Sequence, residues 1–337
     1  MKIDTGLGGA SLSEIGTRAR ELEDLGYDGI QTAETSHDPF LPLVVAAEHT
    51  SRVQLGTAIA VAFARSPMTT ANTAWDLNMF SGGRMSLGLG SQIQPHITKR
   101  FAMPWSHPAA RMREFVAAMR AIWSSWQDGT KLDFRGDFYS HTLMTPFFNP
   151  GPNEFGAPKV YLAAVGEKMT EVAGQVCDGI LIHGFTTERY VREVTMPAID
   201  RGLAAAGRDR ANFEVSGPLF VVTGTTEEEL EAAKVGTRRQ IAFYGSTPAY
   251  KGVLDLHGWG DLQGELNALS KQGKWAEMGD AIDDEMLNTF AVVAEPEGVG
   301  AELKRRYADV VDRLSFYAPY SAAPERWAAV LADLKAT

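Results

Sequence analysis

Asp28-Gly-Ile-Gln-Thr32, Pro39-Phe-Leu-Pro-Leu-Val-Val-Ala-Ala-Glu-His-Thr50 and Arg52-Val-Gln-Leu-Gly-Thr-Ala-Ile59 follow one another in the chain and decide its fold. The first and third are short runs that suit strands. The one between them has helix length, with apolar Leu41, Val44 and Val45 spaced for one face. Strand, helix and strand at this spacing make a βαβ unit, which requires two parallel strands covered by a helix.

The unit recurs on both sides. Lys2 to Leu7 reads as the first strand. Ser11 to Leu25 reads as a helix with a Ser11–Glu14 capping box. Pro67 to Phe80 is helical, with proline in its first turn. Arg84 to Leu89 is a fourth strand and Pro108 to Trp126 a long helix. A loop-rich stretch follows: Phe134-Arg-Gly-Asp137 has the look of a hairpin turn, and residues 145–158 hold four prolines. The alternation then resumes. Lys159–Ala163, Gly179–Ile182 and Phe213–Val222 read as strands five to seven. Their helices are Glu167–Val176, Glu188–Ala206 and Thr226–Phe243, the last with the acidic start that the helix dipole favours. Residues 244 to about 290 do not fit one more unit and read as a helical insertion containing Trp259 and Trp275. Glu297–Tyr307 is a helix, Arg313–Tyr317 an eighth strand, and Pro324–Lys335 the last helix. Eight strands in βα repeats predict a closed α/β barrel, the (β/α)8 TIM barrel with loop insertions, as one domain over 1–337.

Composition sets outer limits. The chain has 337 residues, against roughly 250 for a plain TIM barrel, which leaves room for insertions. A formal charge of −10 gives no electrostatic reason for nucleic acid or anionic membrane as a partner. Residues 1–9 lack a basic region and an apolar core, and no apolar run approaches the ~20 residues of a spanning helix. Cys177, the single cysteine, excludes an intrachain disulfide and reads as a small buried residue, so a cytoplasmic setting is expected.

In such a barrel the active site forms at the C-terminal ends of the strands, so the residues after each strand carry the functional reading. After strand two, Glu34-Thr-Ser-His-Asp38 puts two acids and a histidine in one loop. His37 is a candidate proton donor or cofactor partner, its ordinary pKa lying near neutrality. Asp38, just before Pro39, is read as a helix cap. After strand three, Arg65 is read first as an ion-pair bridge between loops and second as a partner for a phosphate or substrate anion. After strand four, Gly88-Leu-Gly-Ser-Gln92 is not the dinucleotide fingerprint, because Ile93 stands where a third glycine belongs. Its glycines read as packing space, and Ser91 and Gln92 are placed to hydrogen-bond a ring's polar edge. His96 and His107 follow; both read first as solvated loop residues, second as substrate contacts. After strand five, Ala163-Ala-Val-Gly166 opens a helix whose free N–H groups suit phosphate. His183 ends strand six with the same two readings. The seven histidines never pair with carboxylates or cysteine at ligand spacing, so no metal is expected.

Taken in order, these stations resemble the bacterial luciferase-like superfamily, and most of all its coenzyme F(420)-dependent (deazaflavin) oxidoreductases of actinobacteria. The residues that carry this are Gly26-Tyr-Asp-Gly29, the Glu34–Phe40 loop, Leu55-Gly-Thr57, Arg65-Ser-Pro67, Ser81-Gly-Gly-Arg84, Leu87-Gly-Leu-Gly-Ser91 and Cys177-Asp-Gly179. The resemblance implies a ring bound across the barrel mouth, often in a homodimer, with a non-proline cis peptide behind it at Ala58–Ile59. It puts the cofactor contacts on Thr35, Ala58, Ile59, Gly90, Ser91, Gln92, Ala164, Val165 and Gly166. It puts catalysis on His37 and Glu34, and a substrate pocket on Phe40, Phe63, Arg65, His96, Trp105 and His183. Phe40, Phe63, Trp105 and the insertion are expected to form an apolar lid. The chain departs from its relatives in three places. Thr35 fills the slot where a histidine is common. Gln92, Ile93 and Gln94 replace the glutamate of sugar-phosphate dehydrogenases. Val165 stands where glycine is frequent.

The implied activity is hydride transfer between deazaflavin C5 and a small organic substrate. An FMN-dependent monooxygenase, working with O2 and a separate reductase, is the alternative. A barrel that binds cofactor without chemistry is the third reading.

Overall fold

The computed structural model describes residues 1–336. Its strands are β1 (Lys2–Gly6), β2 (Gly29–Thr32), β3 (Gln54–Thr57), β4 (Ala60–Val61), β5 (Met85–Gly90), β6 (Phe134–Arg135), β7 (Ser140–His141), β8 (Lys159–Ala164), β9 (Gly179–Ile182), β10 (Glu214–Val222), β11 (Ala291–Val293) and β12 (Arg313–Tyr317). Eight of them form a closed parallel barrel in the order β1-β2-β3-β5-β8-β9-β10-β12. Closure is at β12, which pairs with β1 through Ile3 opposite Leu314 and with β10 through Leu219 opposite Phe316. The expected (β/α)8 barrel is the fold.

The helices that cover the barrel are α1 (Ile15–Asp24), α2 (Leu41–His49), α3 (Pro67–Phe80), α4 (Pro108–Asp128) and α5 (Glu167–Val176). Then come α6 (Glu188–Tyr190), α7 (Met196–Ala205) and α8 (Glu227–Gly245). Residues 251–290 form four short helices, α9 (Lys251–Leu256), α10 (Leu262–Lys271), α11 (Trp275–Asp280) and α12 (Asp284–Phe290). The chain ends with α13 (Pro296–Tyr307) and α14 (Pro324–Ala336). None is long and apolar enough to cross a membrane.

Two apolar cores result. The larger lies between barrel and outer helices and includes Trp75, Phe115, Trp123 and Trp126. Trp75 meets Trp126 edge-on at 5.5 Å, an arrangement worth about 1 kcal/mol beyond burial. The smaller joins α8 to the 251–290 helices through Phe185, Phe220, Ile241, Leu254, Leu266 and Phe290.

Four local expectations are corrected. In α2 the buried face is Leu43, Ala46 and Ala47, whereas Leu41 and Val44 are 56% and 45% exposed. The helix is apolar nearly all round, so it carries two stripes of i, i+3, i+4 spacing, and close approach to the barrel selects the one with small side chains. Helix α1 begins four residues later than Ser11. The Ser11 N–H and hydroxyl both donate to Glu14 (2.8 and 2.6 Å), so only the glutamate half of the capping box forms. Strand three ends at Thr57 instead of Ile59. And β11 was not anticipated: its three residues extend the sheet along β10, opposite Phe220–Val222.

At the opposite end from the mouth the barrel holds a buried ion pair. Arg313 of β12 grips Asp4 of β1 with two hydrogen bonds, of 2.9 and 2.5 Å, and Gln31 of β2 donates to the same carboxylate at 3.0 Å. Both charged side chains are buried. Gly29 makes room for them, since a Cβ there would lie 2.3 Å from Asp4 Oδ1.

Candidate active site

The mouth is shaped first by how β3 ends. Thr57 closes the strand and the Ala58–Ile59 peptide is cis, as the resemblance implied. The chain re-enters the sheet as β4, pairing Ala60 with Leu89. Across the gap the Thr57 hydroxyl donates to the Gly88 carbonyl (2.7 Å) and accepts from the Gly88 N–H (3.0 Å). One side chain thus satisfies two buried backbone groups. Glycine is needed at 88, where a Cβ would fall 1.9 Å from the Thr57 carbonyl, whereas at 90 a Cβ would press at 2.8 Å on the outer end of the Ile59 side chain. The packing role read for these glycines is the one seen. It leaves Ala58 and Ile59 half-buried at the rim.

Glu34, after β2, is the next fixed point. Its backbone N–H donates to the Ile59 carbonyl at 3.0 Å. Its Oε2 accepts from the Val61 N–H (2.7 Å) and from Arg65 Nη1 (2.5 Å), with only 8% of the side chain exposed. Oε1 has no partner among the described residues, so one oxygen stays available. Arg65 also reaches Asp38 (3.2 Å) and lies over the Phe40 ring at 5.5 Å. It is the ion-pair bridge between loops. Asp38 caps the start of α2 by accepting from the Phe40 and Leu41 N–H groups (2.8 and 3.2 Å). We expect Glu34→Ala to cost about 2–3 kcal/mol in urea unfolding, because it orphans the Val61 N–H and removes one of Arg65's three hydrogen-bond partners. A loss under about 0.5 kcal/mol would remove the carboxylate from this structural role.

His37 is exposed on this loop and its ring has no partner among the described residues. Thr35 is exposed too, and its carbonyl accepts from Arg100. After β5, Ser91 donates to the Gln92 carbonyl (3.1 Å), while Gln92 turns its amide oxygen back to the Ile93 N–H (2.9 Å). Gln92, Ala102 and His107 hold φ of +60°, +54° and +41° in this one loop. Such angles cost a non-glycine residue of order 1 kcal/mol and persist where surroundings enforce them. His96 is exposed.

The expected apolar lid is corrected in part. Phe63 is fully buried, wedged between the edge of Trp105 (5.6 Å) and the Arg111 guanidinium (4.5 Å). Phe40 is buried beneath Arg65. Both therefore act as footings for other side chains, and Trp105 is the half-buried member of the three. Cys177 is buried, and burial pushes its thiol up to about 12, so it supplies no thiolate.

On the β8 side, Ala164 is buried, Val165 half-buried and Gly166 exposed. Gly166 is the N-cap of α5, and a Cβ there would have no neighbour within 4 Å. The first N–H groups of α5 have no acceptor inside the helix and open onto this free space. That is a cradle suited to an anion, and with the apolar Ala58–Ile59 rim it fits a flat ring carrying a phosphate tail. No cluster of metal-ligating side chains occurs among the described residues.

A third group was only partly anticipated. His183, after β9, stacks on Tyr250 (4.6 Å) and meets Tyr244 edge-on (4.7 Å). Tyr244 in turn shares a 2.6 Å hydrogen bond with Tyr317, the last residue of β12. Of these, sequence reasoning named His183 alone. Tyr317 was reachable by the same end-of-strand rule; Tyr244 and Tyr250 belong to segments with no strand to place them.

A closed parallel barrel with this mouth is the frame of an oxidoreductase family, and residues 2–313 match the family described as luciferase-like monooxygenase. The chain belongs to that family. It is 59% identical over 303 residues to the uncharacterized protein Rv1360 of Mycobacterium tuberculosis, covering 90% of this chain and 89% of the other. It is 27% identical to 5,10-methylenetetrahydromethanopterin reductase of Archaeoglobus fulgidus, covering 82% and 81%. Among solved structures it is similar to the coenzyme F(420)-dependent tetrahydromethanopterin reductase of Methanopyrus kandleri, with a TM-score of 0.75, 20% identity, and 99% and 96% coverage.

Proposed function

We propose that this protein is a coenzyme F(420)-dependent oxidoreductase that moves hydride between the deazaflavin and a small organic substrate. The observation that carries the reading is the mouth itself: the Ala58–Ile59 rim faces a barrel that also presents the open N-terminus of α5 at Gly166. The likeness, at 26% identity over 298 residues, to the putative coenzyme F(420)-dependent oxidoreductase Rv3520c of Mycobacterium tuberculosis supports F(420) over FMN.

In this reading Val165, Gly166 and the first N–H groups of α5 hold the phosphate. Ala58 and Ile59 back the ring with apolar surface, and Gly90, Ser91 and the Thr35 loop border it. When bound, the deazaflavin supplies or accepts hydride at C5. The chain's own residues do the rest. Glu34 and Arg65 fix the loop from which the unpaired ring of His37 can give or take a proton at the mouth. Trp105, footed on Phe63, limits water.

The test is a titration of the purified chain with F(420) and with FMN. We expect saturable quenching of F(420) fluorescence at micromolar concentrations and weaker FMN binding. Tighter FMN binding with flavin-dependent oxygen uptake would replace this reading with the monooxygenase that the family description names. Binding of neither would overturn both.

A further inference from the structure

Four polar rings gather where β9 and β12 reach the mouth, and their hydrogens can be counted. His183 Nδ1 accepts from the Phe185 N–H at 3.0 Å. Burial lowers the ring's pKa to about 4, so at neutral pH it is uncharged and carries its proton on Nε2. Nε2 lies 3.3 Å from the Tyr250 hydroxyl, which therefore accepts. The proton of Tyr250 itself has no acceptor among the described residues. Tyr244 and Tyr317 share one proton across their 2.6 Å contact, which leaves the second proton of that pair without an acceptor too. Two phenolic O–H groups thus remain undirected. The rings that bear them are close, with Tyr244 6.0 Å from Tyr250 and 6.2 Å from Tyr317, centroid to centroid.

The surroundings are apolar. Tyr317 stacks on Phe220 (4.7 Å), and Phe185 stacks on Phe290 (4.6 Å) below the cluster. Burial and the neighbouring phenols are what act on His183, Tyr250 and Tyr317; no carboxylate or cation does. Burial and the shared bond hold the Tyr317 phenol well above its ordinary range, so it stays protonated. All four rings are half-buried, so part of each is reachable from solvent. Two spare O–H donors need acceptors, and one oxygen with two lone pairs can take both. A charged ligand would lose its hydration here with no countercharge to offset the loss.

We propose that Tyr250, held by His183, and the Tyr244–Tyr317 pair form a recognition site for the oxygen of an uncharged carbonyl compound or alcohol. The site deepens the oxidoreductase reading and rests on it. It fixes the substrate class as ketone, aldehyde or alcohol, in place of carboxylate or phosphate ester. The same two donors that bind a carbonyl oxygen serve the alcohol oxygen on the other side of a hydride transfer.

The test uses the full chain without cofactor. Cyclohexanone and cyclohexanecarboxylate are compared as probes of similar size by saturation-transfer NMR titration. We expect binding of the ketone and at least tenfold weaker binding of the carboxylate. Tyr250→Phe and the double variant Tyr244→Phe/Tyr317→Phe keep ring packing and should each weaken the ketone about fivefold, all three together about 25-fold, since each removes one hydrogen bond to a neutral oxygen, whereas Tyr317→Phe alone frees the Tyr244 O–H in its place. Unchanged melting temperatures would show that the loss is of recognition and not of fold. Equal binding of both probes, or a triple variant that binds ketone like the parent, overturns the proposal. F(420) titration of the same samples separates the two readings. Cofactor binding kept while ketone binding fails sinks this site alone. Ketone binding kept while F(420) fails to bind sinks the cofactor reading alone.

Discussion

Arg313→Met is expected to destabilise the protein by about 3–5 kcal/mol in urea unfolding at pH 8, because it leaves the Asp4 carboxylate buried without its cation. Asp4 would then have only the Gln31 amide, 3.0 Å away, inside a barrel that admits little water. The carboxyl's remedy is to take up a proton, and that gives the variant a signature. Burial already holds the Asp4 carboxyl above its ordinary range beside Arg313, and without that cation its folded-state pKa would rise further above the ~3.9 of an unfolded aspartate. The folded state then binds more protons than the unfolded state between those two values. Stability accordingly rises as pH falls through the folded pKa. So the penalty should shrink between pH 8 and pH 5, whereas loss of packing alone would be indifferent to pH. The double variant Asp4→Leu/Arg313→Met should recover most of the loss, since an apolar pair of similar volume needs no desolvation. A single variant within about 1 kcal/mol of the parent at pH 8 would show that the pair does not hold β1 to β12.

That pair joins residues 309 positions apart, which is why it was not legible beforehand. What could be read were features carried by neighbouring residues. Pro67–Phe80, Gly179–Ile182 and Arg313–Tyr317 were placed with the bounds observed, because proline at a first helical turn or a short run of isoleucine, leucine or aromatic residues announces itself locally. The number of barrel strands followed from the βα alternation. The buried face of α2 did not, since a helix apolar on two stripes is oriented by the strands it covers. The site divided in the same way. Glu34, Arg65, Gly90 and Gly166 were found by looking past strand ends, and the closed barrel brings those ends together. The tyrosines came from α8, the turn at Pro248–Tyr250 that leads into α9, and β12, whose meeting depends on how the insertion docks. Phe63 was misjudged because an aromatic residue after a strand suits a lid and a footing equally; burial separates the two.

The second large effect is expected at Gly166, where stability and binding should move in opposite directions. Gly166 has φ −82° and ψ 148°, ordinary extended backbone, and open space where a Cβ would go. Aspartate therefore fits without strain. At the N-cap it can accept from the free N–H groups of α5, which favours the helix by a few tenths of a kcal/mol over glycine. Gly166→Asp should thus melt at or slightly above the parent's temperature. The same carboxylate occupies the donors read as the phosphate cradle and sets a negative charge where the phosphate would sit. Losing charge-assisted hydrogen bonds worth about 1.5–3 kcal/mol should weaken F(420) about 10- to 100-fold in the quenching titration. Gly166→Ser separates the two causes. It caps equally well but brings no charge, so its affinity should fall between parent and aspartate variant. The effect of Gly166→Asp should also be smaller on a cofactor fragment that lacks the phosphate, because only the phosphate competes for those N–H groups. If the aspartate variant binds F(420) as tightly as the parent, the anion is held elsewhere, and the open start of α5 is an ordinary helix end.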